Sequence, residues 1–378
     1  MTLQIAVLLP KSDMFPTLAK DFLQGLKLAL NTSKPDLDVN FIIEMTGLAN
    51  EESLLKTCEK LLIEDTIDLA IGFCADNLID DFTTLFNSYK KPLIRVDLGA
   101  SVIKNEQVNP YTLHYTLNLW QSAYAAGLYA AENYGKKASF LASAYDGGYH
   151  LSAAFAEGFQ TAGGDILRFN VGPIDYKQTN FTEMIASIEK EQPDVIFAVF
   201  SYKEGVEICK HLADASFNGN IPVMAIPLMT DETINIEDSG LKNVQSVASW
   251  SFVDTSEAMQ KFQNNFKDAH DENPNVISLL GYEVGQVILH AQAEDGTLPA
   301  KISEAIKDRP LKTPRGKIGV NSKNESRPEC FYVRDFQFKN QRYENHKIAE
   351  LNNPVSEELL EKFQQWPNPS WQNPYQCT

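Results

Sequence analysis

The sequence has no long hydrophobic run and no surplus of positive charge. No apolar stretch in its 378 residues approaches the roughly 20 that a helix needs to span a bilayer. Its 33 lysines and arginines are outnumbered by 50 aspartates and glutamates, which leaves a formal net charge of -17. Because nucleic acids and anionic membrane surfaces are bound through surplus Lys and Arg, we expect neither as a partner.

Cysteine is also scarce. None of the five cysteines lies in a CxxC pair, so a zinc site or redox motif is not predicted, and the odd number leaves at least one thiol free. Two interpretations stay open: inert buried thiols, or a disulfide between Cys58 on a helix and Cys74 at the end of the next strand. The five are Cys58, Cys74, Cys209, Cys330 and Cys377.

The usual catalytic motifs are missing as well. There is no Walker A sequence, no G-x-G-x-x-G, no G-x-S-x-G and no HExxH, and the histidines are scattered. We therefore predict that the protein is not an enzyme and has no cofactor or metal. An enzyme whose site is assembled only in the fold, for example a glycosyl transferase, stays open as an alternative.

No leader segment is apparent at the start of the chain. Strand-like sequence begins at once with residues 3–9, and no basic stretch precedes it. We expect either a cytoplasmic protein or the mature form of an exported one with an added Met1.

What the sequence does contain is a regular alternation of apolar runs and helical patterns. Helical stretches of about 10–15 residues separate the runs, which is typical of βαβ units and of α/β folds with parallel sheets. Strands are predicted at 3–9, 39–45, 67–73, 92–97, 138–143, 166–171, 194–200, 222–227, 317–320 and 330–338, and two late helices at 255–271 and 275–293.

The alternating pattern occurs twice. Residues 22–29 and 155–162 both read F-x-x-G-apolar-x-x-A, and two pairs of strand sequences recur at a similar spacing of about 130 residues. Such steady spacing predicts two α/β lobes of similar topology. The first lobe is expected to end near Thr116, where residues 113–119 suggest a crossover, and the second near Trp250.

The loops after the predicted strands are the candidate binding regions. In an open parallel sheet, ligands bind beyond the carboxyl ends of the strands, next to helix starts that favour anionic or polar groups. Two lobes with matching loops therefore predict a small-molecule cleft between them. The loops are 11–18, 73–77 and 98–101 in the first lobe, and 144–150, 201–204 and 227–231 in the second.

The most distinctive of these loops is Tyr145-Asp-Gly-Gly-Tyr-His150. Gly147 and Gly148 are expected to allow a tight turn with positive φ. Tyr149 is the strongest candidate for ligand contact, because its ring offers area with little freedom to lose and its hydroxyl offers a hydrogen bond. His150 is interpreted as a helix-start residue.

Five stretches of the sequence together suggest a family. They are "IAVLLPKSDMFPTLAKDFLQGLKLALN", "DLAIGFCADN", "AYDGGYHLSAAFAEGFQTAGG", "TNFTEMIASIEKEQPDVIFAVF" and "GYEVGQVILHAQ". In order and spacing they resemble the type I periplasmic binding proteins, in the branch that binds leucine, isoleucine, valine and amides. The resemblance implies two Rossmann-like lobes with parallel sheets, joined by three crossover segments, and hinge closure over a small polar ligand.

The resemblance also implies a lobe division, a partner and a location. Residues 1–116 with 251–329 would form the N-terminal lobe, and residues 117–250 with 330–378 the C-terminal lobe. The partner would be the membrane permease of an ABC transporter. The protein would be periplasmic or an exported lipoprotein, whereas a native Met1 would indicate the cytoplasm.

Ligand contacts of the family carry over to eleven positions, with two departures. Amino-acid binders place hydroxyl groups where Ala75 and Asp76 stand, and the Asp76 carboxylate would repel an α-carboxylate. The acidic residue that holds the α-amino group falls near Leu228 or Met229, with Asp231 as a nearby carboxylate. These departures leave room for an amide, a urea-like compound, a cationic ligand or a larger apolar acid. The positions are Phe15, Phe73, Cys74, Ala75, Asp76, Ala100, Ser101, Tyr149, Tyr202, Asp231 and Tyr282.

We therefore expect a solute-binding protein of an ABC importer that captures a small amino-acid-like or amide ligand. The alternative is a cytoplasmic or receptor-type ligand sensor of the same fold, similar to the amide regulators, which the missing leader and the free thiols favour. The aromatic tail, residues 366–375, is interpreted as a covering arm.

Overall fold

The strands of the first predicted lobe form one parallel sheet in the computed structural model. They are β1 Leu3–Leu9, β2 Val39–Met45, β3 Leu69–Phe73, β4 Leu93–Asp97 and β5 Thr112–Thr116. Their order is β2-β1-β3-β4-β5. Strands β3 and β4 are buried along their whole length; β3 is apolar on both faces, whereas one face of β4 carries Arg95 and Asp97.

The strands of the second predicted lobe repeat this arrangement. They are β6 Lys137–Ala142, β7 Asp165–Val171, β8 Val195–Val199, β9 Val223–Ala225 and β10 Val244–Ala248. Their order, β7-β6-β8-β9-β10, matches that of the first sheet strand for strand. The predicted α/β class and the duplicated topology are therefore confirmed.

The last strands complete the architecture. Three form a small antiparallel sheet: β11 Leu311–Thr313, β12 Gly316–Val320 and β13 Ser326–Pro328. Two more, β14 Cys330–Lys339 and β15 Arg342–Asn352, continue the second sheet, with β14 antiparallel to β10. We call the β1–β5 sheet with its helices the first lobe, and the β6–β10 sheet with β14 and β15 the second lobe.

Five of the strands were not predicted: β5, β10, β11, β13 and β15. The predicted crossover at residues 113–119 overlaps β5, which ends at Thr116, where the chain leaves the first sheet. This strand is fully buried although it carries His114 and two threonines, so no apolar run marks it. Strand β15 is rich in charged residues, and β10 is a short run with Gln245 and Ser246 inside it.

The helices cover the sheets and connect their strands. They are α1 Leu18–Ser33, α2 Glu52–Ile63, α3 Ile79–Tyr89, α4 Leu119–Asn133, α5 Leu151–Thr161, α6 Phe181–Glu191, α7 Tyr202–Asp214, α8 Glu257–His270, α9 Val276–Ala291, α10 Ile302–Asp308 and α11 Glu357–Lys362. The predicted late helices correspond to α8 and α9.

The repeated F-x-x-G motif has a packing role in each lobe. A Cβ at Gly25 of α1 would overlap the carbonyl oxygen of Ser278 on α9. In the second lobe, a Cβ at Gly158 of α5 would overlap the carbonyl oxygen of Tyr124 on α4. Each glycine therefore lets two helix backbones approach more closely than any other residue would allow.

The free thiols contradict the disulfide alternative. Cys58 and Cys74 are both buried and unbonded, and Cys209 and Cys330 are free as well. None of the helices in the described part of the chain is both long and apolar enough to cross a membrane. Cys377 and most of the predicted covering arm lie outside the described residues, which are 2–34, 36–49, 52–64, 67–232, 240–339 and 341–367.

Candidate functional site

The loops after β4 and β6 meet across the two lobes. The backbone N–H of His150 donates to the carbonyl oxygen of Ala100 at 3.2 Å. In return, the backbone N–H of Val102 donates to His150 Nδ1 at 2.9 Å. The predicted site residues Ala100 and Tyr149 are thus brought to the same place, one from each lobe.

A polar group from the first lobe lies beside this contact. Ser101 Oγ donates a hydrogen bond to Asp76 Oδ2 at 2.6 Å, so these two predicted site residues also come together. Asp76 Oδ1 lies 3.7 Å from the Arg95 guanidinium, which also forms an ion pair with Asp97. The negative charge of Asp76, which was expected to repel an acidic ligand, is therefore partly compensated by the positive charge of Arg95.

Arg95 is a functional candidate that the sequence did not reveal. It lies in the middle of β4, is only 1% exposed, and has Nε and Nη1 without a hydrogen-bond partner among the described residues. Burial raises the pKa of Asp76 and of Asp97, and the Arg95 charge opposes that shift. The one feature of the sequence that could have indicated Arg95 is its position as a charged residue within a mostly apolar predicted strand.

Four predicted residues of the first lobe are packed rather than open. The Phe73 ring packs edge-on against Phe22 at 5.3 Å, and Cys74 is a buried thiol whose pKa is raised by burial. Ala75 is buried too, next to Cys74. The N–H of Phe15 donates to Ser12 Oγ at 3.0 Å, which holds the loop after β1 in place.

The loop after β6 is held by a buried carboxylate, Asp146. It accepts hydrogen bonds from Ser143 Oγ and Ser201 Oγ, each at 2.8 Å. Burial raises its pKa to about 6, although these hydroxyls favour the ionised form. Because Ser201 follows β8, Asp146 ties together the two loops that carry Tyr149 and Tyr202.

The predicted glycine turn is wrong in its geometry. Neither Gly147 nor Gly148 has a positive φ; the chain forms a 3₁₀ turn over Asp146–Gly148 instead. The positive φ of 51° occurs at Tyr202, the first residue of α7. Backbone conformations of this kind are uncommon outside glycine and cluster at functional sites.

Tyr149 and His150 differ from expectation in opposite ways. Tyr149 is 6% exposed, so in this structure its ring is covered. His150 was expected to be only a helix-start residue, but its ring contacts the first lobe through Val102 and also lies 2.8 Å, Nε2 to oxygen, from the carbonyl of Pro367. It is a bridging residue between lobes, which a single sequence cannot show.

The last two predicted residues lie elsewhere. The Tyr282 ring on α9 packs against Phe262 of α8 at 4.8 Å. Asp231 is buried and lines a separate cavity of about 280 Å³, which none of the other predicted site residues lines. This cavity is lined by Asp231, Glu232, Phe252, Val253, Gln263, Asn273, Pro274, Arg342, Glu344 and Asn345.

The meeting loops carry polar oxygen atoms on one side and an aromatic residue on the other. Asp76 and Ser101 offer oxygen atoms, and the second lobe offers the aromatic Tyr149. Among the described residues, no group of three or more His, Cys, Asp or Glu side chains is arranged to hold a metal ion.

Comparison with known proteins agrees with this arrangement. A family model described as "Periplasmic binding protein" matches residues 2–341. No curated protein matches the chain. An ABC transporter substrate-binding protein from Sphaerobacter thermophilus has a TM-score of 0.82 at 22% identity, over 93% of this chain and 98% of that one.

Two further solved structures share the fold. A solute binding protein of an ABC transporter from R. palustris, in complex with benzoate, has a TM-score of 0.75 at 19% identity, covering 94% of this chain and 98% of that one. A putative branched-chain amino acid ABC transporter from Rhodospirillum rubrum has a TM-score of 0.69 at 13% identity, with coverages of 92% and 100%. Since the family model spans most of the sequence, the chain belongs to the periplasmic binding protein family, with the type I fold that its sequence resembles.

Proposed function

We propose that this chain is the solute-binding protein of an ABC importer and captures a small amino-acid-like or amide ligand between its lobes by hinge closure. The observation that carries the proposal is the meeting of Ala100 and His150, which brings Asp76 and Ser101 of one lobe toward Tyr149 of the other. A ligand contacting both lobes would shift the population toward the closed form. The importer's membrane permease would be the partner.

The ligand chemistry follows from the groups that surround the contact. Asp76 accepts a hydrogen bond from Ser101 and keeps further lone pairs for a donor on the ligand. An amide NH₂ or an ammonium group would supply that donor. The Tyr149 ring would cover the apolar part of the ligand from the second lobe, with Tyr202 beside it.

A ligand panel tests this proposal. Amino acids, aliphatic and aromatic amides, and benzoates would each be added in a thermal-shift assay, followed by calorimetry on any hit. A ligand at about 100-fold over its Kd should stabilise the fold by about 2.7 kcal/mol. No stabilisation by any class would contradict the proposal, and a benzoate as the sole hit would replace the amide class with aromatic acids.

The first substitution to make is Tyr149→Ala. We expect it to weaken binding of the hit at least about tenfold, because it removes a buried aromatic contact, with Tyr149→Phe separating the ring from the hydroxyl. Tyr89→Ala, at the exposed end of α3, is the matched control and should bind like the wild type. Calorimetric Kd values decide; an unchanged Kd for Tyr149→Ala would remove the assignment.

A sensor of the same fold is the second candidate, and the free thiols favour it. Exported proteins often contain disulfides, whereas Cys58 and Cys74 are buried and unbonded in this structure, and burial raises the pKa of Cys58 to about 12. Fractionation of the native host decides between them. Recovery from the periplasm or as a lipoprotein supports the importer, and recovery from the cytoplasm supports the sensor.

A further inference from the structure

The last described segment of the chain, residues 357–367, lies across both lobes; we call it the strap. It consists of α11 and a 3₁₀ turn over Phe363–Gln365. Phe363 is fully buried, and its ring packs edge-on against Trp120 at 5.3 Å. Because Trp120 lies on α4, the strap is anchored to the second lobe.

Lys104 joins the strap to the first lobe. Its Nζ donates hydrogen bonds to the carbonyl oxygens of Phe363 at 3.1 Å, Gln364 at 3.2 Å and Trp366. These carbonyls lie at the end of a helical turn, and that of Phe363 also accepts from the backbone N–H of Trp366 at 3.2 Å. One ammonium group thus caps the carboxyl end of the strap, as basic side chains do at helix ends.

The contact of Lys104 with the strap is buried, unlike a lysine contact on the protein surface. The side chain is only 3% exposed. Burial lowers its pKa, the negative charge of Glu106 opposes that shift, and the three carbonyl oxygens accept its hydrogen bonds. If the strap moved away, the ammonium would need water in place of these oxygens.

Gln364 adds two further bonds to the same stretch of the first lobe. Its Nε2 donates to the carbonyl oxygen of Ile103 at 3.2 Å, and its Oε1 accepts from the N–H of Asn105 at 2.9 Å. The residues on both sides of Lys104 are therefore also bound to the strap. The strap thus contacts the first lobe through the Lys104 side chain and through the backbone next to it.

The end of the strap reaches the candidate site through His150. The ring lies 5.6 Å from that of Trp366, and Nε2 lies 2.8 Å from the oxygen of Pro367. Since Nδ1 accepts from Val102, the ring proton belongs on Nε2, which donates to Pro367. First lobe, second lobe and strap therefore meet at one imidazole, next to Tyr149.

We propose that the strap is a latch that holds the lobes closed over the candidate site, and that Lys104 is the residue that secures it. The inference rests on the proposed function where it concerns ligand capture. Contacts that favour the closed form without a ligand raise its population, and so raise the apparent affinity for anything that binds there. The lobe contact itself can be measured without a ligand.

The test uses the full chain with Lys104→Met, which keeps the stem and removes the charge. Without ligand, we expect a larger radius of gyration by small-angle X-ray scattering. We also expect at least about tenfold faster amide exchange at Val102 and His150, whose N–H groups bridge the lobes. Wild-type scattering and wild-type exchange in this variant would overturn the proposal.

Lys362→Met is the matched control. This lysine lies on the same strap, but its Nζ contacts Glu157 on α5 of the second lobe, so the variant should keep wild-type scattering and exchange. If Lys104→Met does not fold, Trp366→Ala takes its place with the same expectation, since Trp366 is only partly buried. A wild type that binds nothing in the panel would refute the proposed function, while these ligand-free measurements would still decide on the latch.

Discussion

At the scale of single residues, Asp146 shows how burial changes the chemistry of a side chain at the site. Its pKa is about 6 in the folded protein, against an ordinary value of 3.8, because burial disfavours the charged form. Ionisation therefore costs stability, and the free energy of unfolding falls as the pH rises from about 4 to above 6. Below that window the protonated carboxyl carries no such cost.

Asp146→Asn should remove this pH dependence. The amide can still accept from Ser143 and Ser201, and it cannot ionise. Relative to the wild type, the variant should gain about 1–3 kcal/mol in the free energy of unfolding between pH 4 and pH 7.5. Urea denaturation at the two pH values measures the gain. Asp165→Asn, an exposed carboxylate at the start of β7, should show none, and an equal shift in both variants would refute the assignment.

Sequence reasoning at this scale predicted loops that come together in the structure, while their role as a ligand site stays a prediction. The rule that ligands bind beyond strand ends predicted the loops that bring Asp76, Ala100 and Ser101 toward Tyr149. It could not find Arg95, which lies inside a strand, or the role of His150, whose partners are 48 and 217 residues away in the chain. Contacts between distant segments leave no local pattern in one sequence.

At the scale of elements, the clearest prediction concerns Gly25 and Gly158, where α1 packs against α9 and α5 against α4. Gly25→Ala and Gly158→Ala would each force a Cβ into the backbone of the neighbouring helix. We expect each to lower the free energy of unfolding by about 1–3 kcal/mol, since the helices must move apart. Chemical denaturation measures the loss. The F-x-x-G repeat is thus a packing signal that can be recognised from sequence.

Gly205 on α7 is the matched control for these two variants. A Cβ there would have its nearest contact at 3.6 Å, an ordinary van der Waals distance. Gly205→Ala should therefore leave the protein as stable or slightly more stable, because alanine favours the helix by about 1 kcal/mol. Equal losses at Gly25 and Gly205 would mean that close helix approach is not the reason why the F-x-x-G motif occurs in both lobes.

Strand prediction succeeded where burial and apolarity coincide. Strands β3, β4 and β8 are buried throughout and were predicted within two residues of their ends. The prediction missed β5, because His114 and its threonines are buried by hydrogen bonding rather than by apolar character. The backbone N–H of Thr116, for example, donates a hydrogen bond to Ser326 Oγ in the third sheet.

At the scale of the whole molecule, the sequence allowed the duplicated lobe topology to be predicted, but not the contacts that join the strap to the two lobes. The repeat appears in the sequence because each lobe needs the same βαβ pattern to bury its own sheet. The strap belongs to no repeat, and Lys104 meets it about 260 residues further along the chain. The lobe boundaries themselves stay a prediction.

Protonation of His150 should weaken the contact between the lobes. Nδ1 accepts from the Val102 N–H, so a second proton there would face a donor already in place. Burial lowers the pKa of His150, and the nearby Lys104 charge lowers it further. The closed form is therefore favoured above the ordinary pKa of about 6.5, and this preference is lost as the pH falls through the lowered value.

The final prediction is that the lobes open in mild acid and that His150→Gln prevents it. Glutamine can accept from Val102 and donate to Pro367 without a charge change in this range. Amide protection factors at Val102, corrected for the intrinsic effect of pH, should fall between pH 7.5 and pH 5 in the wild type and stay level in the variant. Parallel pH profiles in the two proteins would show that another group controls the contact. Glu325 would then be the next residue to substitute, because burial raises its pKa to about 7.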